Sequence, residues 1–229
     1  VMAQAGFEPA GFVTMFDKLG QSSRLNDSGA FPYLRSHPLT TERLADMQSR
    51  LPPGVRAPDG ANQSVSHAML SARARVLSNT AVDAQRAWLT PVPKATPDQG
   101  PVAVQAAALY GAALAASKLS EPAQAASYVQ QLAQLPLTEP AAARLLALLR
   151  AELTLARGQA PQAVALLATL APSKEDRPWL MLSAQAWMAA GQAALAAERL
   201  QEWVVGHPRD ALAWTLLSGA YAAQGQALR

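Results

Sequence analysis

Cysteine is absent from this 229-residue chain, which excludes disulfides and thiolate metal sites. Aromatic residues make up only 6% and charged residues 15% of the sequence, whereas half of it is hydrophobic. No apolar run has the length of a membrane span, because Gln, Ser, Lys and Glu interrupt the alanine-rich stretches. The net charge of +3 is small and no basic run alternates with aromatics, so nucleic-acid binding is not expected. The hydrophobic half of the chain is instead sufficient for a substantial core.

Helical patterns run through most of the sequence. Alanine and leucine dominate it, and both favour helices. Apolar residues recur at helical spacing, and no segment alternates convincingly like a strand between hairpin turns. We expect Gly20 to end the first helix, and Thr40 to cap a second one that ends at Pro52. Further helices are predicted at 64–77, 81–89, 102–118, 121–135, 139–157, 160–170, 176–190, 193–206 and 210–223. The fold class is therefore predicted to be all-α.

A linker divides the chain into two parts. Residues 52–64, PPGVRAPDGANQS, are rich in proline and glycine, which is typical of a connecting segment. We place a domain boundary within it, so that residues 1–58 form one part and residues 59–229 the other.

The second part is repetitive. An aromatic residue and a turn glycine, Trp187 and Gly191, recur 34 positions later as Tyr221 and Gly225, and Gly158 precedes Gly191 by 33. This pattern resembles the tetratricopeptide repeat, whose helical hairpins stack into a solenoid. The resemblance is weaker over residues 102–136, where the spacing stretches, and the last repeat is incomplete. An alanine-rich helical bundle of another kind stays open as the alternative.

A binding groove follows from the repeat interpretation. In a solenoid of this kind, the first helix of each hairpin lines the inner face. The residues expected to face the groove are Met181, Gln185, Met188, Thr215 and Gly219. Because they are small, flexible or uncharged, we expect the groove to take apolar or extended protein segments.

The sequence lacks the common catalytic motifs: it contains no H-E-x-x-H, no glycine-rich phosphate loop and no G-x-S-x-G. Its three histidines, His37, His67 and His207, are far apart, and His207 is expected to be a solvated turn residue. Carboxylates such as Glu152 and Asp176 are expected to be solvated charges on helix faces or at helix starts. Judged by its own residues, the chain is not an enzyme.

The first sixty residues show a more specific resemblance. The segment GFEPAGFVTMFDKLGQ, the loop SHPLTTERL and the repeat tail occur in the same order as in BepA-like zinc metalloproteases. Ser36, His37, Pro38 and Arg43 match that family's S/T-H-P-x-x-x-x-R loop. The two helices that carry the zinc ligands in the family are missing here. The resemblance thus implies the C-terminal remnant of a metalloprotease domain, followed by a tetratricopeptide domain.

The resemblance also implies roles for the loop residues and for the whole protein. His37 would lie near the zinc of the intact enzyme as an inhibitory, catalytic or structural residue, and Arg43 would anchor the loop. Zinc is then expected in the parent enzyme and not in this chain. The implied setting is periplasmic, in quality control or assembly of outer-membrane proteins, where the repeats recruit protein substrates or assembly-machinery proteins. The alternative is a non-catalytic tetratricopeptide adaptor.

Overall fold

The computed structural model describes residues 10–23, 40–51, 64–89, 102–170 and 176–225. Within these ranges all regular secondary structure is helical, which confirms the predicted all-α class. The helices are α1 (Ala10–Ser23), α2 (Thr40–Ser49), α3 (Val65–Ser78), α4 (Val82–Ala87), α5 (Val102–Lys118), α6 (Pro122–Gln134), α7 (Pro140–Ala156), α8 (Ala160–Ala168), α9 (Arg177–Ala189), α10 (Ala193–Gly206) and α11 (Ala211–Ala223).

The chain divides into two compact units, residues 1–62 and 63–229. The first unit contains α1 and α2, which pack against each other. In it, the guanidinium of Arg43 lies 5.8 Å from the centroid of the Phe16 ring, a cation–π contact between the two helices. Arg43 therefore contributes to the packing of α2 against α1.

The predicted end of the first helix is wrong. Helix α1 continues through Gly20 to Ser23. Glycine inside a helix costs only about 1 kcal/mol relative to alanine, so it does not end a helix unless the chain must turn there. Ser36, His37 and Pro38 lie outside the described residues.

The second unit is a series of helical hairpins. Helix α5 pairs with α6, α7 with α8, and α9 with α10, while α11 packs on α10 and α9. The first helices of successive hairpins also contact each other, α5 with α7 and α7 with α9, and α3 packs on α5 and α7. From α6 onward, each helix thus contacts mainly its neighbours in sequence order, as in a repeat architecture, whereas α3 packs chiefly on α5.

Small residues allow these helices to approach closely. Alanines such as Ala113 and Ala116 on α5 are fully buried in the core shared by α3, α5, α6 and α7. Gly111 has the closest neighbour, because a Cβ atom built there would lie 2.5 Å from the indole ring of Trp88. Trp88 therefore rests directly on the backbone of α5.

The turns inside the hairpins explain the recurring glycines. Gly158, Gly191 and Gly225 each follow a first helix and adopt φ of +75°, +77° and +70°, a region that side chains disfavour. After each of the first two, the next residue donates its N–H back to the helix, as Gln192 does to the carbonyl of Trp187 at 2.8 Å. This is the Schellman arrangement that ends many helices.

Serine replaces glycine at the corresponding turn between α5 and α6. Ser120 adopts φ of +61°, and Glu121 then donates its N–H to the carbonyl of Ala116 at 2.9 Å. Ser120 lies further from Gly158 along the chain than Gly158 lies from Gly191, which is the stretched spacing seen in the sequence. The turn is preserved here without the glycine that marks it elsewhere.

Candidate functional site

The first helices of the second unit enclose a groove with a volume of about 710 Å³. Every described residue that lines it belongs to α3, α5, α7, α9 or α11, or is the cap residue that precedes α9. Its large apolar side chains are Leu70, Leu145, Leu148, Met181, Leu182 and Leu212. Leu70 and Leu212 are 49% and 41% exposed, which is high for leucine and leaves apolar surface open at both ends of the row of helices.

A three-residue cluster links α3, α5 and α7 inside the groove. The guanidinium of Arg73 donates to both carboxylate oxygens of Glu152, at 2.7 and 3.2 Å, and to the hydroxyl of Tyr110 at 3.3 Å. Burial raises the pKa of Tyr110, and the positive charge of Arg73 opposes this. Because the arginine and the carboxylate neutralise each other, the cluster adds polarity to the groove but no net charge.

Two further arginines follow along the first helices. Arg144 of α7 forms an ion pair with Asp176, and Arg177 of α9 donates through two nitrogens to Asp210 at 2.7 and 2.8 Å. Asp176 and Asp210 also cap α9 and α11, because each accepts a hydrogen bond from the N–H three residues later. Arg177 lowers the pKa of the Asp210 carboxyl well below its usual range, and the indole N–H of Trp203 acts in the same direction. In both cases, the aspartate that caps the first helix of one hairpin is bound by an arginine from the first helix of the preceding hairpin.

Glu139, at the start of α7, makes a related contact with the start of α3. Its carboxylate accepts hydrogen bonds from the backbone N–H groups of Val65 and Ser66, at 2.7 and 3.0 Å. The hydroxyls of Ser64 and Ser66 also donate to it, each at 2.8 Å. These four donors, the backbone N–H groups of Ser66 and Val65 first, lower the pKa of Glu139 to about 2. The contact joins parts of the chain that are far apart in sequence.

The five residues predicted to face the groove fall into two groups. Met181 and Gln185 line it, Met181 buried and Gln185 exposed. Met188, Thr215 and Gly219 are not among the lining residues. The sulfur of Met188 lies 3.9 Å from the position of a Cβ atom on Gly219, so these two residues form part of the contact between α9 and α11.

Sequence reasoning missed the charged residues of the groove. Glu152 and Asp176, expected to be solvated, are instead paired with arginines and only 27% and 11% exposed. A signal was present in the sequence: an acidic residue precedes the first helix at positions 139, 176 and 210, close to the repeat period. Recognising the pairs also required knowing which helices lie side by side.

The two described histidines, His67 and His207, contact neighbouring side chains of their own helices or turns. His67 is exposed on α3, with its Nε2 atom 3.5 Å from the hydroxyl of Ser71. His207 is not the solvated turn residue that was expected, because its ring stacks on Trp203 with 3.7 Å between centroids and 8° between planes. Neither histidine lies in the groove.

Metal ligands are not grouped in the part of the chain that the structure describes. No three His, Asp or Glu side chains there come close enough to share an ion. None of the helices α1 to α11 is both long and apolar enough to cross a membrane.

No protein-family profile matches the chain, and no curated protein is significantly similar to it.

Proposed function

We propose that this chain is the C-terminal part of a BepA-like zinc metalloendopeptidase of the periplasm. Its second unit is then a tetratricopeptide-type domain that recruits protein substrates or assembly partners in the quality control of outer-membrane proteins. The residues Ser36, His37, Pro38 and Arg43 support the protease part of this proposal by resemblance. The groove supports the recruiting role, and its exposed leucines are the observation that carries it.

The architecture of the second unit supports assignment to the tetratricopeptide class. Helical hairpins follow one another, and three of the first helices end at a glycine with positive φ that recurs once per repeat. Repeats of this class bind protein segments on the face formed by their first helices. The groove lies on that face in the second unit.

The chemistry of the groove favours an apolar protein segment over a charged one. Leu70 and Leu212 offer apolar area that water now covers, and Met181 adapts its shape to different side chains. Arg73, Arg144 and Arg177 each already bind a carboxylate, so an acidic ligand would have to displace an internal partner. Binding should therefore depend on apolar contact and change little with salt.

The recruiting role is tested with a fluorescent peptide whose sequence alternates apolar and polar residues, as an unfolded β-barrel strand does. The variant Leu70→Gln/Leu212→Gln should weaken its binding about tenfold, since the two leucines together lose roughly 1.5 kcal/mol of apolar contact. Val205→Gln is the matched control, because Val205 is 81% exposed on α10 and lies outside the groove. Equal binding by all variants would remove the groove from the proposal.

The protease part is tested in the coding sequence and in the intact protein. The proposal requires an H-E-x-x-H motif encoded within about two hundred residues before Val1. In the intact enzyme, His37→Ala should raise basal proteolysis if His37 restrains the zinc site, and should lower it if His37 assists the reaction. A lower melting temperature with unchanged specific activity would make His37 a structural residue.

A non-catalytic adaptor remains the second candidate, and the completeness of the groove favours it. All the described lining residues lie from Ser66 to Leu212, so partner binding at the groove is attributed to the second unit. The coding sequence separates the two functions, because an adaptor has no upstream zinc motif.

A further inference from the structure

A second cleft, of about 510 Å³, lies between the α5–α6 hairpin and the α7–α8 hairpin. Its described lining residues are all different from those of the groove. Its apolar walls are formed by Ala125, Ala126, Val129, Leu153, Ala156 and Leu166. Leu166 is 38% exposed, so part of this apolar wall faces water. A cleft of this volume is in the usual range for small-molecule sites, about 300–1,000 Å³.

The cleft lies at a junction between hairpins that is looser than the next two junctions along the chain. Helix α6 contacts α7 less extensively than α8 contacts α9, or than α10 contacts α11. The same junction carries the stretched spacing between Ser120 and Gly158. Small side chains on the facing surfaces, Ala125 and Ala126 among them, leave the space between the hairpins unfilled.

Two arginines line this cleft, Arg150 on α7 and Arg157 at the C-cap directly after that helix, and neither forms an ion pair among the described residues. Arg150 and Arg157 are two turns apart on one face, about 10 Å along the helix. Among the described residues, neither guanidinium has an ion pair or a hydrogen bond, and no carboxylate belongs to the lining of the cleft. The three arginines of the groove, by contrast, are all paired. The cleft therefore combines apolar walls with two arginines that have no acidic partner among its described lining residues.

The shape of the cleft limits what can fill it. Its walls are helices whose backbone groups are already hydrogen-bonded, so an extended peptide would find few partners for its own backbone. A single hydrocarbon chain needs no hydrogen bonds, so apolar walls of this kind accept it.

We infer that this cleft binds a single-chain anionic amphiphile, with the hydrocarbon chain against Val129, Leu153 and Leu166 and the anionic head group on Arg150 and Arg157. Guanidinium groups bind carboxylate and phosphate well because their planar donors match two oxygens at once. The site is separate from the groove, so the inference holds whether or not the proposed protein-recruiting role is right.

The test uses dodecanoate, below its micelle concentration, titrated calorimetrically into the full chain. We expect one site per chain, much weaker binding of hexanoate, and no binding of dodecyltrimethylammonium. Arg150→Ala/Arg157→Ala should weaken dodecanoate binding about tenfold or more, because charged hydrogen bonds to the head group are lost. Ala126→Trp should abolish binding by filling the cleft while the arginines remain.

Arg75→Ala/Arg86→Ala is the matched control, since it removes the same charge from exposed arginines outside the cleft. It should bind dodecanoate within about twofold of the unmodified chain, because a distant exposed charge is largely screened. Circular dichroism checks that each variant is folded, and the double arginine variant changes only exposed side chains. An equal loss in the control, equal binding of the cationic amphiphile, or no binding of dodecanoate would each overturn the inference. Binding to phosphatidylglycerol vesicles without binding of free dodecanoate would also overturn it, in favour of a membrane surface.

Discussion

Two helical glycines should respond in opposite ways to the same substitution. Gly111 on α5 and Gly219 on α11 both lie inside helices, where alanine is favoured over glycine by about 0.5–1 kcal/mol. A Cβ atom on Gly219 would meet only the sulfur of Met188, at an ordinary 3.9 Å. A Cβ atom on Gly111 would lie 2.5 Å from two carbons of the Trp88 ring, so the ring or the helix must move.

The size of the difference follows from the packing. Overfilling a packed site costs about 1–3 kcal/mol, and the helix-propensity gain is the same in both variants and cancels. Gly219→Ala should therefore stabilise the chain, and Gly111→Ala should be about 1–3 kcal/mol less stable than Gly219→Ala. For a protein of this size, that corresponds to a gap of several degrees in melting temperature.

Urea unfolding followed by circular dichroism measures both free energies of unfolding. A Trp88→Ala background supplies the decisive comparison, because removal of the indole should make Gly111→Ala stabilising there. If Gly111→Ala stabilises the unmodified chain as much as Gly219→Ala does, the contact between Trp88 and the α5 backbone is wrong.

Other substitutions give three further expectations. Ser120→Gly should raise the free energy of unfolding by about 0.5–1 kcal/mol, and Gly191→Ala should lower it by about 1–2 kcal/mol, because both positions have positive φ; urea unfolding should show these opposite signs. The pKa of Glu139 is about 2 in the folded chain and 4.5 ordinarily, so its stabilising contribution is complete above pH 4.5 and is lost as the pH falls through 2. Between pH 6 and pH 2, the melting temperature of Glu139→Gln should therefore fall less steeply than that of the unmodified chain. Parallel curves for the two proteins would contradict this. Arg73→Met should destabilise the chain by about 1–2 kcal/mol, because Glu152 is left without its partner. Arg73→Met/Glu152→Met should recover most of that loss in thermal unfolding. A double variant as unstable as the single one would show that the ion pair stabilises the chain beyond pairing these two charges.

The helices of the second unit could largely be predicted from local pattern. The bounds of α5 and α10 are those predicted, and the other helices there differ by at most two residues at either end. Alanine-rich helices with clear turn signals depend little on distant contacts. The predicted end of α1 was wrong because Gly20 lies within the helix, whereas Gly191 adopts φ of +77° in the turn after α9.

The groove could be predicted only in part. The repeat period placed Met181 and Gln185 on a first helix, and both line the groove. The pairs of Arg73 with Glu152 and of Arg177 with Asp210 join residues 79 and 33 positions apart, so they depend on how helices pack and not on local pattern. The cleft was missed for a different reason, because the stretched spacing that opens it made that region look like a poorer repeat.

The contact between Glu139 and the start of α3 helps to hold the second unit together if the chain is cut between α4 and α5. The sequence TPVPKATPDQGP lies between α4 and α5, and the partners on its two sides are held together in space: α3 packs on α5, Arg73 binds Glu152, and Glu139 binds Ser66. A protease that cuts after Lys94 would thus leave two fragments that separate on a denaturing gel but elute as one particle on gel filtration. The same two pieces, expressed separately, should reassemble when mixed, so that the second unit would work as a split protein.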